Sequence, residues 1–83
     1  MLSVVIIAKN EQDTIGRAIE SVSWADEILL IDNNSTDKTV LNARHRGAHV
    51  IRDNTDGDFA HLRNTGLKHA SSDWVFFLDA DEW

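Results

Sequence analysis

Asp79 and Asp81 stand one residue apart at the end of an unbroken apolar run, Trp74-Val75-Phe76-Phe77-Leu78, and Glu82 follows them. Carboxylates at that spacing can offer oxygen ligands to a hard divalent cation such as Mg²⁺ or Mn²⁺. The spacing alone carries little information, because Asp56-Gly57-Asp58 repeats it in a stretch that reads as a loop. The run before Asp79 separates the two pairs. Aromatic and β-branched residues without alternation predict a strand buried on both faces, ending where a sheet meets solvent. In open α/β sheets that edge is where ligands bind. The bland alternative is a solvated acidic strand end.

Two further polar clusters follow apolar runs: Lys9-Asn10-Glu11 and Asp32-Asn33-Asn34-Ser35. Glu11 could simply favour the positive end of a helix, and Asn34, Ser35 or Thr36 is expected to cap the next one. His45, His49, His61 and His69 do not have zinc spacing and read as surface residues. Arg63 and Lys68 read by default as helix-surface charges.

The elements that must position these clusters alternate along the chain. Ser3-Val4-Val5-Ile6-Ile7-Ala8 is the first expected strand, and Ile15, Ala18, Ile19 and Val22 mark one face of a helix capped by Asp13 or Thr14. Glu27 to Asp32 is the second strand. A second helix opens from the turn at Asn33 to Asp37 and runs to about Arg46, with Gly47 as its C′ residue. Ala48 to Arg52 is a third strand, Asp53 to Asp58 an acidic loop, and Phe59, Leu62, Gly66 and Ala70 the buried stripe of a third helix. The order β-α-β-α-β-α-β predicts a parallel α/β sheet with crossover helices. Its strand ends then share one edge, so the three clusters converge there into a ligand site.

The 83 residues make one small domain or part of a larger one, and the absence of cysteine leaves no disulfide to support it. A net charge of −6 argues against a nucleic-acid partner. An acidic edge can nevertheless hold an anionic phosphate ligand through a cation. Met1-Leu2-Ser3 enters the first strand without a basic leader, and no apolar run nears the ~20 residues that cross a bilayer. The expected location is cytoplasmic, with the inner face of the membrane left open. Three helices cover a four-stranded sheet unevenly, so residues 1–83 are expected to be the N-terminal part of a larger domain. Trp74, Phe76 and Phe77 are expected to be poorly covered, and the chain to form a homo-oligomer.

Taken together, these residues resemble the family 2 glycosyltransferases of the GT-A fold, with a Rossmann-like N-terminal half. The matching pieces are Ser3-Val4-Val5-Ile6 with Lys9-Asn10-Glu11, Trp24-Ala25-Asp26-Glu27-Ile28, Arg63-Asn64, and the run from Trp74 to Glu82. Asp32-Asn33-Asn34-Ser35-Thr36-Asp37-Lys38-Thr39 looks like the family's D-x-x-S-x-D-x-T turn. The resemblance covers essentially the whole chain. Trp24 to Ile28 is most similar to the subgroup that builds lipopolysaccharide core and related cell-envelope glycans.

The resemblance implies a nucleotide-sugar donor, expected to be a UDP-sugar, and a glycan or glycolipid acceptor. Ile7, Ala8, Lys9 and Glu11 would line the nucleoside pocket with Asn34, and Asp32 would accept a hydrogen bond from the base. Arg63 is expected to reach the nucleotide or its phosphates. Asp79 and Asp81 would form the D-x-D motif, Asp79 toward the ribose or the metal and Asp81 on Mn²⁺ or Mg²⁺. The family's general base and acceptor site come from sequence well beyond that motif, so they are expected C-terminal to Trp83. Phosphatases of the haloacid dehalogenase type also end a strand in D-x-D. Theirs generally lies near the N-terminus and usually continues with Gly and Thr, where this chain has Glu82-Trp83.

Overall fold

The computed structural model describes residues 1–53 and 59–79. Four strands, β1 (Leu2–Ala8), β2 (Glu27–Asp32), β3 (His49–Arg52) and β4 (Trp74–Asp79), alternate with three helices, α1 (Ile15–Ser21), α2 (Thr39–His45) and α3 (Phe59–His69). All strand pairings are parallel, in the spatial order β3-β2-β1-β4. The chain first steps outward from β1 to β3, then returns to place β4 on the other side of β1. That reversal puts a topological switch point between β1 and β4.

Side chains alternate between the two faces of each strand, which divides the core in two. Val4, Ile6, Ala8 and Leu30 pack under Ile15, Ala18 and Ile19 of α1 and Ala43 of α2. Val5, Leu29 and Ile31 pack under Leu62 of α3, with Ile7, Ile51 and Phe77 around them. Both faces of β1 are thus covered, which is why its sequence is a continuous apolar run. Gly66 lets α3 approach closely: a Cβ there would lie 2.6 Å from Val5 Cγ1.

Two expectations change in detail. Helix α2 begins at Thr39, and Asn34, Ser35 and Thr36 do not cap it, because the Ser35 hydroxyl and the Thr36 N–H engage Asn10 instead. Thr14 does occupy the N-cap position of α1, but its hydroxyl donates to Glu11 Oε2 rather than capping the helix. The end of α2 matches its sequence signal. Gly47, at φ 85°, donates to the Arg44 carbonyl while Ala48 donates to that of Ala43. This pairing satisfies the last carbonyls of the helix and delays β3 to His49.

Strand β4 is covered on its α3 face by Val75 and Phe77, and on the other face only Leu78 reaches a core. Phe77 packs on the α3 side with the Arg63 guanidinium 4.7 Å from its ring centroid, so the expectation that it is poorly covered does not hold. Trp74 and Phe76 are exposed, at 73% and 52%. Among the described residues no helix is long and apolar enough to cross a membrane.

Candidate active site at the carboxyl edge of the sheet

The polar clusters lie at the carboxyl edge, on β1 and its two neighbours. In register, Ala8 pairs with Asp32 on β2, and Ile7 with Asp79 on β4. The two aspartates are therefore two strand spacings apart, about 10 Å, on either side of β1. They also leave opposite faces of the sheet. Asp32 shares the face of Ala8 and α1, whereas Asp79 shares that of Ile7 and α3.

The loops after β1 and β2 are laced together. Asn10 donates its N–H to Ser35 Oγ (2.9 Å) and accepts from the Thr36 N–H through Oδ1 (2.8 Å). The Glu11 N–H donates to Thr39 Oγ1 (2.8 Å) and the Gln12 N–H to Asp37 Oδ2 (3.2 Å). In return, Gln12 Oε1 accepts from the Lys38 N–H (3.0 Å). Asn10 and Asn34 adopt φ of 54° and 59°, left-handed turns that asparagine tolerates better than most residues. Burial works against the ionised form of Asp37, but bonds from the Thr39 hydroxyl, the Thr39 N–H and the Gln12 N–H outweigh it and lower its pKa.

Asp32 is wholly buried at the centre of this lattice. Its Oδ2 accepts from the Ser35 N–H (3.3 Å) and lies 3.6 Å from Arg52 Nε. Its Oδ1 is buried without a hydrogen-bond partner. Beside it the Asn33 amide donates to the Asp53 carbonyl (2.9 Å), tying the ends of β2 and β3.

A family model described as glycosyl transferase family 2 matches residues 3–83. The chain belongs to that family. An uncharacterized glycosyltransferase of Rickettsia typhi is 42% identical over 82 residues, which are 98% of this chain and 28% of the relative. Glucosyl-3-phosphoglycerate synthase from Mycobacterium tuberculosis, solved with UDP, superposes with a TM-score of 0.89 at 30% identity. That alignment covers 100% of this chain and 34% of the synthase. The same enzyme solved with Mn²⁺, UDP-glucose and phosphoglyceric acid gives a TM-score of 0.86, again at 30% identity, over 96% of this chain and 33% of the other. The chain thus spans about a third of these relatives' length, and the parallel α/β architecture is that of the family's Rossmann-like sheet.

Among the residues the family resemblance singles out, Lys9, Glu11, Asp32 and Asn34 lie on the two laced loops or the strand ends that lead into them. The side chains of Ile7 and Ala8 belong to the two cores, so what they offer at the edge is backbone. Arg63 lies apart from that lattice, exposed on α3 with its guanidinium over Phe77. Asp79 ends β4 and is exposed, and Asp81 lies outside the described residues. Asp79 by itself offers an exposed carboxylate at the end of β4, an oxygen donor of the kind a hard cation takes. The four histidines are exposed, and no cluster of three or more metal-ligating side chains occurs among the described residues.

Sequence reasoning passed over Arg52 and Asp53. Arg52 is the register partner of Asp32, a relation visible only once the sheet is aligned. Asp53 accepts from Thr65 Oγ1 (2.6 Å) and pairs with His61 Nε2 (3.1 Å), anchoring the start of the β3–α3 connection to α3.

Proposed function

We propose that this chain is the donor-binding part of a family 2 glycosyltransferase that holds a UDP-sugar through a divalent cation. The observation that carries the reading is Asp32 Oδ1, a fully buried acceptor without a partner at the carboxyl end of β2, one strand from the switch point. Leaving such a group unpaired costs about 1–3 kcal/mol, a cost that a ligand donor removes. The ring N–H of uracil is such a donor. Oδ1 is shut off from solvent in the free chain, so the base reaches it by displacing a covering side chain. From there the diphosphate would cross β1 toward Asp79, over the roughly 10 Å between β2 and β4. Asp79 and Asp81 would hold Mn²⁺ or Mg²⁺, and such a cation would supply positive charge against the departing diphosphate.

Support for UDP and Mn²⁺ comes from the mycobacterial synthase, which was solved with UDP-glucose and Mn²⁺. Transfer itself is proposed for the longer protein. Its general base and acceptor site fall in the two thirds of the relatives' length that this chain does not span. The acceptor class we favour is a glycan or glycolipid of the cell envelope, lipopolysaccharide core included, modified in the cytoplasm or at the inner face of the membrane. Trp24 to Ile28 motivates that narrower assignment.

Calorimetry with UDP and Mn²⁺ tests the reading. Asp32→Ala is expected to weaken UDP by roughly 1–3 kcal/mol, the value of a buried acceptor and its donor. CDP, whose base lacks the ring N–H, should compete poorly. Equal competition by CDP and UDP against the wild-type chain would remove Asp32 from the base site.

A further inference from the structure

Arg52 ends β3 directly across from Asp32, in register and on the same face of the sheet. Its side chain is 55% exposed, whereas that of Asp32 is 0% exposed. From this half-open position Nε lies 3.6 Å from Asp32 Oδ2, and Nη2 donates to the Ser35 carbonyl at 3.4 Å. Arg52 thus spans the carboxylate and the turn that follows it. With the Ser35 N–H, it occupies the Oδ2 side of the carboxylate and leaves Oδ1 as the unused acceptor.

We propose that Arg52 is a positioning residue that sets base specificity, engaging Oδ2 so that Asp32 stays oriented with Oδ1 as the acceptor offered to the base. The inference rests on Asp32 being the group that meets the base. An ionised carboxylate has no donor. It therefore pairs with the ring N–H of uracil and repels the lone pair that cytosine carries at the same position. A buried carboxylate holds its charge at tolerable cost only beside a cation or several donors. Without Arg52 the carboxylate is free to rotate, and Oδ1 loses the fixed position that favours uracil over cytosine. Arg52 touches no part of the base. It acts through Asp32, and its effect falls on the ratio of the two affinities.

The test is calorimetry with UDP and with CDP, each with Mn²⁺, on the wild-type chain, Arg52→Gln and Arg52→Lys. Taking the ratio within each protein cancels any loss of folded material. The wild type should prefer UDP, and Arg52→Gln should cut that preference by about tenfold or more, the scale of losing a charge next to a buried carboxylate. Arg52→Lys keeps the charge without the planar fork and should recover part of the preference. If Arg52→Gln weakens UDP and CDP by the same factor, Arg52 only braces the turn and the inference is overturned. An Arg52→Lys chain no more selective than Arg52→Gln overturns it as well. A wild-type chain without preference overturns the reading of Asp32 first, and this inference with it.

Discussion

Aspartates at the carboxyl edge of the sheet are held in different ways, and the differences follow from their neighbours. Asp37 accepts from Thr39 and Gln12 and serves the loop lattice, a structural task that accounts for the second aspartate of D-x-x-S-x-D-x-T in this chain. Ser35 and Thr39 do the same for Asn10 and Glu11. Asp32 keeps one oxygen for this lattice and one without a partner. Asp79 is exposed at the end of β4. The resemblance singled out the motif but could not say which of its oxygens face the protein, because that depends on contacts between residues about 25 positions apart in sequence. For the metal, the expected outcome is that Mn²⁺ binds weakly alone and better with UDP, whose phosphate oxygens complete the coordination shell. Asp81→Ala should weaken Mn²⁺ in the presence of UDP by at least about tenfold, the lower bound for disturbing a metal site. Equal affinities in wild type and Asp81→Ala, by calorimetry, would end the D-x-D assignment.

At the scale of elements, two helix glycines make opposite predictions. A Cβ on Gly66 would meet Val5 Cγ1 at 2.6 Å, inside a core where the β-branched Val5 cannot turn away. Overpacking of this kind costs about 1–3 kcal/mol, more than the ~1 kcal/mol of helix propensity that alanine brings. Gly66→Ala should therefore lower the denaturation midpoint. A Cβ on Gly16 would meet the Arg46 guanidinium at 2.6 to 2.9 Å, but that group is the flexible end of an exposed side chain and can swing aside. Gly16→Ala should leave stability unchanged or raise it by up to about 1 kcal/mol. Urea melts of the two variants that shift together would contradict the packing described for α3.

The opposite edge of the sheet carries a second clip. Glu27 accepts from the Ser71 N–H (3.1 Å), Ser3 Oγ (2.7 Å) and Ser71 Oγ (3.1 Å), tying the α3–β4 loop to β1 and β2. The Ser71 N–H, then Ser3, pull its pKa below the ordinary 4.5. A lowered folded value means that the stabilisation is complete above pH 4.5 and is lost as pH falls through that lower value. Glu27→Gln should thus melt earlier than wild type near neutral pH, and the gap should close in acid. A gap of constant size across the titration would show that the carboxylate's charge has no part in the clip.

For the molecule as a whole, the alternation of apolar runs and helical spacings was enough to read the parallel sheet and its shared edge. β1 and β2 are buried or half-buried over consecutive residues, so the pattern survives in one dimension. The spatial order β3-β2-β1-β4 was not legible in the same way, nor was the pairing of Arg52 with Asp32, since both depend on register between strands. The start of α2 was misread because capping side chains were claimed by a neighbouring loop. Coverage of β4 was read partly, and its consequence concerns assembly. β4 is an outer strand, with β1 as its partner on one side, and Trp74 and Phe76 stand exposed on the face that α1 and α2 cover elsewhere. Burying one aromatic side chain contributes on the order of 2–3 kcal/mol, so two of them weigh heavily against the total stability of a small domain. An unpaired strand edge beside such a patch favours pairing with another chain. The 83-residue chain is therefore expected to form a homodimer or larger oligomer through β4. Phe76→Asp should dissociate it, whereas the same change at Phe77 should unfold it, because Phe77 packs inward beneath Arg63. Sedimentation at micromolar concentration gives the answer. A wild-type chain that sediments as a compact monomer and melts cooperatively would show that β4 needs no cover and that the exposed aromatics are tolerated as they stand.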